Sequence, residues 1–127
     1  MTDMEGVAGV INFSDYAFPQ GRYYEIGRQL TTEETNAAIE GLLEAGAREI
    51  LVVDGHGHGA INQLLLHPSA KLLAGRPLNY PFGIDKSFSA ALIIGQHAKS
   101  NTDGGHLSHT GSTEVEDLTI NGVSLGE

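Results

Sequence analysis

The sequence has no cysteine among its 127 residues, and this absence limits the chemistry available to the chain. Without thiols there are no disulfides and no thiolate metal ligands, so a bound transition metal would depend on His, Asp and Glu. Basic residues are also scarce. Seven Lys and Arg stand against sixteen Asp and Glu, which gives a formal net charge of −9. This charge repels phosphate backbones and anionic lipids, so nucleic acid and membrane surfaces are poor partners, whereas divalent cations are compatible with it.

Long apolar runs are missing as well. A run such as residues 90–94 is far too short to span a bilayer. The first residues, MTDMEG, have neither the basic segment nor the apolar segment of a secretory signal, and we therefore expect a cytoplasmic protein. The length fits one domain that buries about two-thirds of its unfolded surface. We expect residues 1–127 to form a single α/β domain.

Segments typical of helices and strands alternate along the chain. Thr31 and Glu34 have the spacing of a capping box, apolar residues follow at helical intervals, and Gly46 fits a left-handed C-terminal position, which together predict a helix over residues 32–45. The run EILVVD predicts a strand buried on both faces, and KLLAG and SAALIIG predict further strands. A short helix is expected over residues 60–66. This pattern predicts an α/β fold with a mainly parallel sheet flanked by helices.

The C-terminal segment has a different character. In LTINGVSL, Asn121 and Gly122 separate two short apolar segments. An Asn-Gly pair in this setting is the strongest local signal for a two-residue turn between antiparallel strands. The sequence therefore predicts a C-terminal β-hairpin.

The glycine-rich loop in residues 51–62, LVVDGHGHGAIN, permits two interpretations. The spacing G-x-G-x-x-A that begins at Gly55 fits a dinucleotide-binding turn between a strand and a helix. That interpretation requires a ribose-binding acid about 20 residues downstream, and no Asp or Glu occurs between Asp54 and Asp85. A helix also precedes this strand, whereas the fingerprint belongs to the first strand of its domain. A nucleotide site is the weaker hypothesis.

A metal site is the alternative interpretation. His56 and His97 each lie three residues after an apolar run, so parallel strands would bring both to the carboxyl edge of one sheet. Asp3 and Glu5 have the i, i+2 spacing that places two carboxylates on one side of an extended segment. Imidazoles and carboxylates suit Zn²⁺, Mn²⁺ or Fe²⁺, and the Irving–Williams order favours zinc. Each group could instead be an ordinary solvated side chain, and His58 could be a ligand or a bystander.

The order of motifs resembles that of the zinc-dependent D-aminopeptidases of the dipeptide-transport-operon type. The resemblance extends from residue 3 to residue 127, essentially the whole chain. The motifs that carry it are DMEGVAG (3–9), YYEIGRQLTTEETNAAIEG (23–41), VVDGHGHGAIN (52–62), LHPSAKLLAGRP (66–77), ALIIGQHAKSNTDGGHLSHT (91–110) and INGVSLGE (120–127).

The resemblance implies a site and an activity. The residues that match the family's metal ligands, around a pair of zinc ions, are Asp3, Glu5, His56, His97 and Glu127. His109 matches a histidine proposed to be catalytic, either as an acid–base group or as a nucleophile. The resemblance also implies hydrolysis of short peptides with a free N-terminal D-residue, and a ring-shaped homo-oligomer that encloses the active sites.

The chain departs from the family pattern at both ends. Only Met1 and Thr2 precede the first acidic motif, where the family has an apolar strand, and the chain stops at Glu127, where the family continues for about as long again. We therefore expect the N-terminal, metal-binding half of the enzyme. A non-catalytic metal-binding subunit of the same fold is the competing hypothesis. A dinuclear phosphoesterase would share the ligand chemistry, but no basic residue for phosphate is evident near the motifs.

Overall fold

The structure is a computed structural model that describes residues 1–126. Its regular elements, in chain order, are a π-helical turn at Phe13–Ala17, helix α1 at Tyr24–Glu44, and strands β1 at Ile50–Val53, β2 at Ala70–Leu73, β3 at Leu118–Ile120 and β4 at Val123–Leu125. No helix in these 126 residues is both long enough and apolar enough to cross a membrane.

Strands β1 and β2 form the regular part of a parallel sheet. Ile50 lies opposite Ala70, and Val53 lies opposite Leu73. Val52 and Val53 are both buried, as expected for a continuous apolar strand that is covered on its two faces. The strand predicted from EILVVD is therefore confirmed.

The N-terminal segment extends this sheet on the other side of β1. The Thr2 amide donates to the Val53 carbonyl, and the Gly55 amide donates to the Thr2 carbonyl, each at 2.9 Å. Thr2 also bridges Ile94 in parallel, and the Asp3 amide donates to the Ile94 carbonyl at 2.8 Å. The mainly parallel arrangement is thus confirmed, with the acidic motif at the carboxyl edge of β1.

The strand predicted from SAALIIG and the helix predicted for residues 60–66 are not formed as regular elements. Around Ile94 the pairing amounts to an isolated bridge. In residues 60–66, hydrogen bonds to α1 replace those of a helix: the Asn62 amide donates to Thr32 Oγ1 and the Asn36 side chain donates to the Leu65 carbonyl, each at 2.8 Å. Because side chains of α1 satisfy this backbone, no local helix is needed.

Helix α1 begins eight residues before the predicted start. Thr31 does not cap it, since its hydroxyl donates to the Gly27 carbonyl within the helix at 2.9 Å. Glu34 accepts instead from the Ala8 amide at 3.0 Å. The buried face of α1 consists mostly of small and hydroxylated residues: Gly27, Thr31, Thr32, Thr35 and Ile39. Such a face has little apolar periodicity, which explains why the first two turns escaped prediction.

The core consists of two clusters of buried side chains. One contains Ile39, Val52 and Ile61 and joins α1 to β1. The other contains Met4, Val7, Val10, Ala17 and Ala60. Met4 is fully buried between the two acids of the first motif, and its burial contributes about 1.5–3 kcal/mol. The core therefore fixes the backbone that carries both carboxylates.

The C-terminal hairpin is confirmed. Strands β3 and β4 are antiparallel, with Leu118 opposite Leu125 and Ile120 opposite Val123. Asn121 and Gly122 have φ values of 52° and 77°. Positive φ at both central residues is characteristic of the tight turn that an Asn-Gly pair favours.

Candidate metal centre

The two carboxylates of the first motif lie where the backbone of two segments comes close together. Gly95 has a φ of 71°, and a Cβ there would lie 2.3 Å from the Asp3 carbonyl oxygen. Only glycine permits this approach. The Met4 amide donates to Asp3 Oδ1 at 2.9 Å, and Glu5 is 3% exposed. Both side chains are therefore held at a partly dehydrated site.

His56 contacts both carboxylates through one ring nitrogen. Its Nδ1 lies 3.2 Å from Asp3 Oδ1 and 3.0 Å from Glu5 Oε2. Its Nε2 lies 2.7 Å from the Ala17 carbonyl oxygen, which can only accept a hydrogen bond. Nε2 therefore carries a proton and donates, and Nδ1 is the atom of the neutral ring that can bind a metal.

His97 approaches the other oxygen of the same aspartate. Its Nε2 lies 3.3 Å from Asp3 Oδ2, and its Nδ1 lies 2.9 Å from the Ala98 carbonyl oxygen. The Gln96 side chain also donates to Asp3 Oδ2, at 3.2 Å. Asp3 thus has an imidazole at each carboxylate oxygen. Such an arrangement is suited to a carboxylate that bridges two metal ions.

The buried carboxylate of Glu5 is a second feature that fits a bound cation. Its Oε2 is buried and lies 3.0 Å from His56 Nδ1, which carries no proton in the neutral ring, so with that tautomer the oxygen accepts no hydrogen bond from residues 1–126. A buried carboxylate oxygen without a donor is costly, and a metal ion would compensate for it. Ligand atoms of Asp3, Glu5 and His56 lie within 4.8 Å of one another. These residues therefore fit a zinc-type ion, which binds imidazole nitrogen and carboxylate oxygen.

The cluster attracts positive charge even without a metal. Burial alone would lower the pKa of His56, but hydrogen bonds with Asp3 and Glu5, aided by the negative charge of Glu5, raise that pKa to about 10. Burial would likewise raise the pKa of Glu5, but contacts with His56 and Asp3 lower it to about 2. In the metal-free chain a proton on His56 therefore balances the two carboxylates.

His109 lies beside the cluster, where it contacts the ring of His97. Its ring stacks on that of His97, with centroids 3.6 Å apart and planes 16° apart. Its Nδ1 lies 2.8 Å from the Leu107 carbonyl oxygen. His106 points elsewhere, since its Nε2 lies 2.7 Å from the Val10 carbonyl oxygen. Of these two histidines, His109 is the one that lines the cavity described below.

A cavity of about 440 Å³ opens onto the cluster. This volume is typical of a small-molecule site. Five of the six predicted site residues line it: Asp3, Glu5, His56, His97 and His109. The sixth, Glu127, lies outside the described residues.

The chain matches a known protein family over its whole length. The sequence profile of the D-aminopeptidase family matches residues 1–127. The chain belongs to that family. The resemblance seen in the sequence is therefore confirmed.

One similar sequence and one similar structure, both from Bacillus subtilis, make the family relationship specific. A D-aminopeptidase of Bacillus subtilis (strain 168) is 36% identical over 130 residues, which cover 98% of this chain and 46% of the relative. A solved structure of the Zn-dependent D-aminopeptidase DppA from Bacillus subtilis, described as a self-compartmentalizing protease, matches with a TM-score of 0.90 and 34% identity. That match covers 98% of this chain and 46% of the solved chain. This D-aminopeptidase-family chain thus spans about half the length of the relatives it matches.

The structure also reveals residues that the sequence did not point to. Arg76 donates to the carbonyls of Gly55, His56 and Gly57, while the Tyr24 hydroxyl lies within hydrogen-bond distance of the next two carbonyls of that loop. The loop that carries His56 is therefore fixed by two side chains along its whole length. Such contacts join residues that are about twenty or more positions apart, and no local pattern predicts them.

Asp54 fixes the other end of the same loop. It is buried, and its carboxylate accepts from the amides of Ala60 and Ile61 at 2.8–3.1 Å. Its position directly after β1 was visible in the sequence, but its role in closing the loop was not. The glycine-rich loop is therefore a turn organised by a carboxylate, and the next regular element after it in the described residues is strand β2.

Proposed function

We propose that this chain is a zinc-dependent aminopeptidase that hydrolyses short peptides with an N-terminal D-residue. The observation that carries this proposal is Asp3 with one imidazole at each carboxylate oxygen, beside the buried Oε2 of Glu5. The substrate and the metal are those in the descriptions of the similar proteins, a D-aminopeptidase and a Zn-dependent D-aminopeptidase.

We assign the donors to a pair of zinc ions. Asp3 would be a ligand through both oxygens, because each of them faces a different histidine. The remaining ligands would be Glu5, His56, His97 and Glu127. Two such ions polarise a scissile carbonyl and lower the pKa of the attacking water.

His109 would transfer protons during hydrolysis. Its Nδ1 lies at hydrogen-bond distance from a carbonyl oxygen, so the neutral ring carries its proton there, and proton transfer would take place at Nε2. Histidine is the side chain that most often transfers protons in enzymes, and it is suited to this role. The stack on His97 would keep the ring beside the metal ligands. A nucleophilic role would use the same nitrogen.

Assembly is the second part of the proposal. The solved relative is described as self-compartmentalizing, which supports a homo-oligomer, and we propose a ring that encloses the active sites. Large exposed apolar side chains, such as Leu64 at 88% and Tyr80 at 86%, are consistent with contacts between subunits. The charge of −9 argues against nucleic acid and membrane partners. The cytoplasmic location stays a prediction.

The proposed activity is tested with matched dipeptides. Zinc-loaded protein is expected to release D-alanine from D-Ala-D-Ala and to act much more slowly on L-Ala-L-Ala. His67→Ala serves as the control, because His67 does not line the cavity and its ring accepts a hydrogen bond from the Ser69 amide. Bound zinc without hydrolysis of either dipeptide would contradict the proposal and favour a non-catalytic metal-binding subunit.

A further inference from the structure

Arg76 is the one Lys or Arg side chain that lines the site cavity in the described part of the chain. It follows β2 and reaches back to the loop that carries His56. Two acids, Asp3 and Glu5, line the same cavity. The cavity therefore combines a negative cluster that attracts cations with one permanent positive charge.

The guanidinium of Arg76 is held rigidly. Nη2 donates to the Gly55 carbonyl at 2.6 Å and to the His56 carbonyl, and Nε donates to the Gly57 carbonyl at 3.2 Å. Nη1 makes no hydrogen bond with residues 1–126. Fixing a long side chain costs roughly 1.5–2 kcal/mol of rotamer entropy. Because the loop carbonyls already order Arg76 in the free protein, ligand binding does not require this entropy loss again.

Arg76 also has no carboxylate partner among residues 1–126. The ion pairs of other Lys and Arg side chains lie on the surface, between Arg28 and Glu25 and between Lys71 and Glu49. Carbonyl contacts leave the positive charge of Arg76 uncompensated. The two N–H groups of Nη1 are then available for charge-assisted hydrogen bonds to a carboxylate.

We propose that Arg76 binds the C-terminal carboxylate of the substrate and so selects very short peptides. The inference rests on the proposed peptidase function and adds the residue that limits peptide length. Arg76 contacts the backbone of the metal-ligand candidate His56 itself, so the guanidinium lies close to the metal cluster. An extended peptide advances at most about 3.6 Å per residue. Because Arg76 and the cluster line one cavity, a carboxylate one or two residues beyond the scissile bond can lie beside Arg76, whereas a longer peptide places an uncharged peptide group there.

The test compares two substrates that differ only at the C-terminus, D-Ala-D-Ala and its C-terminal amide. With zinc-loaded protein, kcat/KM for the acid should exceed that for the amide by about 10- to 100-fold, the scale of one charge-assisted contact. Arg76→Gln should reduce this ratio to about 1, because loss of the carboxylate contact raises KM for the acid alone. Loosening of the loop that carries His56 would lower kcat/KM for both substrates by the same factor, so the ratio remains the readout. Arg76→Lys should retain part of the ratio. Arg22→Gln is the control, because Arg22 packs on Tyr23 away from the cavity.

A purely structural role for Arg76 gives a different result. Loss of the carbonyl contacts would lower zinc content and reduce turnover of both substrates equally, with the ratio unchanged. That result, or an unchanged ratio with normal zinc, would overturn the proposal.

Calorimetric binding separates this proposal from the proposed activity. If the parent protein hydrolyses neither substrate, the proposed function fails, and Kd values for the acid and the amide are then compared. Tighter binding of the acid that disappears in Arg76→Gln would support the carboxylate contact on its own. Equal Kd values in the parent would overturn it.

Discussion

The imidazole of His109 stacks on that of His97, with ring centroids 3.6 Å apart. The group proposed to transfer protons is therefore in direct contact with a proposed metal ligand. His97 in turn faces Asp3 through Nε2. These three side chains form one packed unit, yet their proposed roles differ. Zinc content and hydrolysis rate, measured together, can therefore separate them.

Substitution of His109 should affect hydrolysis far more than metal binding. In His109→Ala the ligand atoms of Asp3 and His97 remain, so zinc content should stay nearly intact. Hydrolysis of D-Ala-D-Ala should fall by roughly 10²–10⁴-fold, the usual effect of losing a positioned acid–base group. Both quantities can be measured on one preparation, by elemental analysis and by steady-state kinetics.

His106→Ala is the matched control for this prediction. His106 lies three positions earlier, and its ring contacts the Val10 carbonyl. Its substitution should change turnover much less. Small, equal effects of the two substitutions would show that the wrong histidine has been assigned.

The proximity of the histidine and carboxylate side chains could be predicted in large part because it depends on local signals. A continuous apolar run fixes β1, and the sheet topology then brings His56 close to Asp3 and Glu5. The Asn121–Gly122 turn likewise depends on two adjacent residues. Patterns of this kind can be recognised in a single sequence, because they involve neighbouring residues or the regular geometry of strands.

The features that escaped prediction depend on distant partners. The predicted start of α1 was wrong because its buried face consists largely of threonines, whose hydroxyls form hydrogen bonds within the helix. The helix expected over residues 60–66 does not form, and the backbone there makes hydrogen bonds with Thr32 and Asn36 instead. Arg76 was missed because its contacts join it to a loop about twenty residues earlier. Tertiary contacts decided each of these cases.

The metal-free chain should depend on pH in a defined way. The pKa of His56 rises from 6.5 to about 10, so its stabilising contribution is complete below pH 6.5 and is lost as the pH rises through about 10. The pKa of Glu5 falls from 4.5 to about 2, so its contribution is complete above pH 4.5 and is lost as the pH falls through about 2. Thermal denaturation in chelator should therefore show the full contribution of the pair between about pH 4.5 and 6.5. A stability that keeps increasing from pH 6.5 to 10 would contradict this assignment.

Gly95→Ala should disturb the site through the backbone. The new Cβ would lie 2.3 Å from the Asp3 carbonyl oxygen and 2.6 Å from Val7 Cγ2, at a φ of 71°. We expect a loss of stability of more than about 1 kcal/mol and reduced zinc content. Gly41→Ala is the control, because nothing lies within 4 Å of a Cβ there and alanine favours a helix interior by about 0.5–1 kcal/mol. Equal melting temperatures of the two variants would refute the role of this close approach.

Nucleotide binding should be absent. The loop from Gly55 is followed by a turn whose amides bond Asp54, and no helix N-terminus follows it in the described residues to receive a pyrophosphate. The acid expected downstream is also missing before Asp85. Titration with NAD, followed by calorimetry, should give no saturable signal. Micromolar binding would instead favour the nucleotide interpretation of this loop.

Zinc stoichiometry tests the central claim most directly. Purified protein, dialysed against zinc and then against buffer, should hold close to two equivalents per chain by elemental analysis. His56→Ala and His97→Ala should each lower that value, because each removes an imidazole from a different oxygen of Asp3, while His67→Ala should leave it unchanged. An unchanged zinc content in both His56→Ala and His97→Ala would contradict the assignment of this cluster as a metal centre.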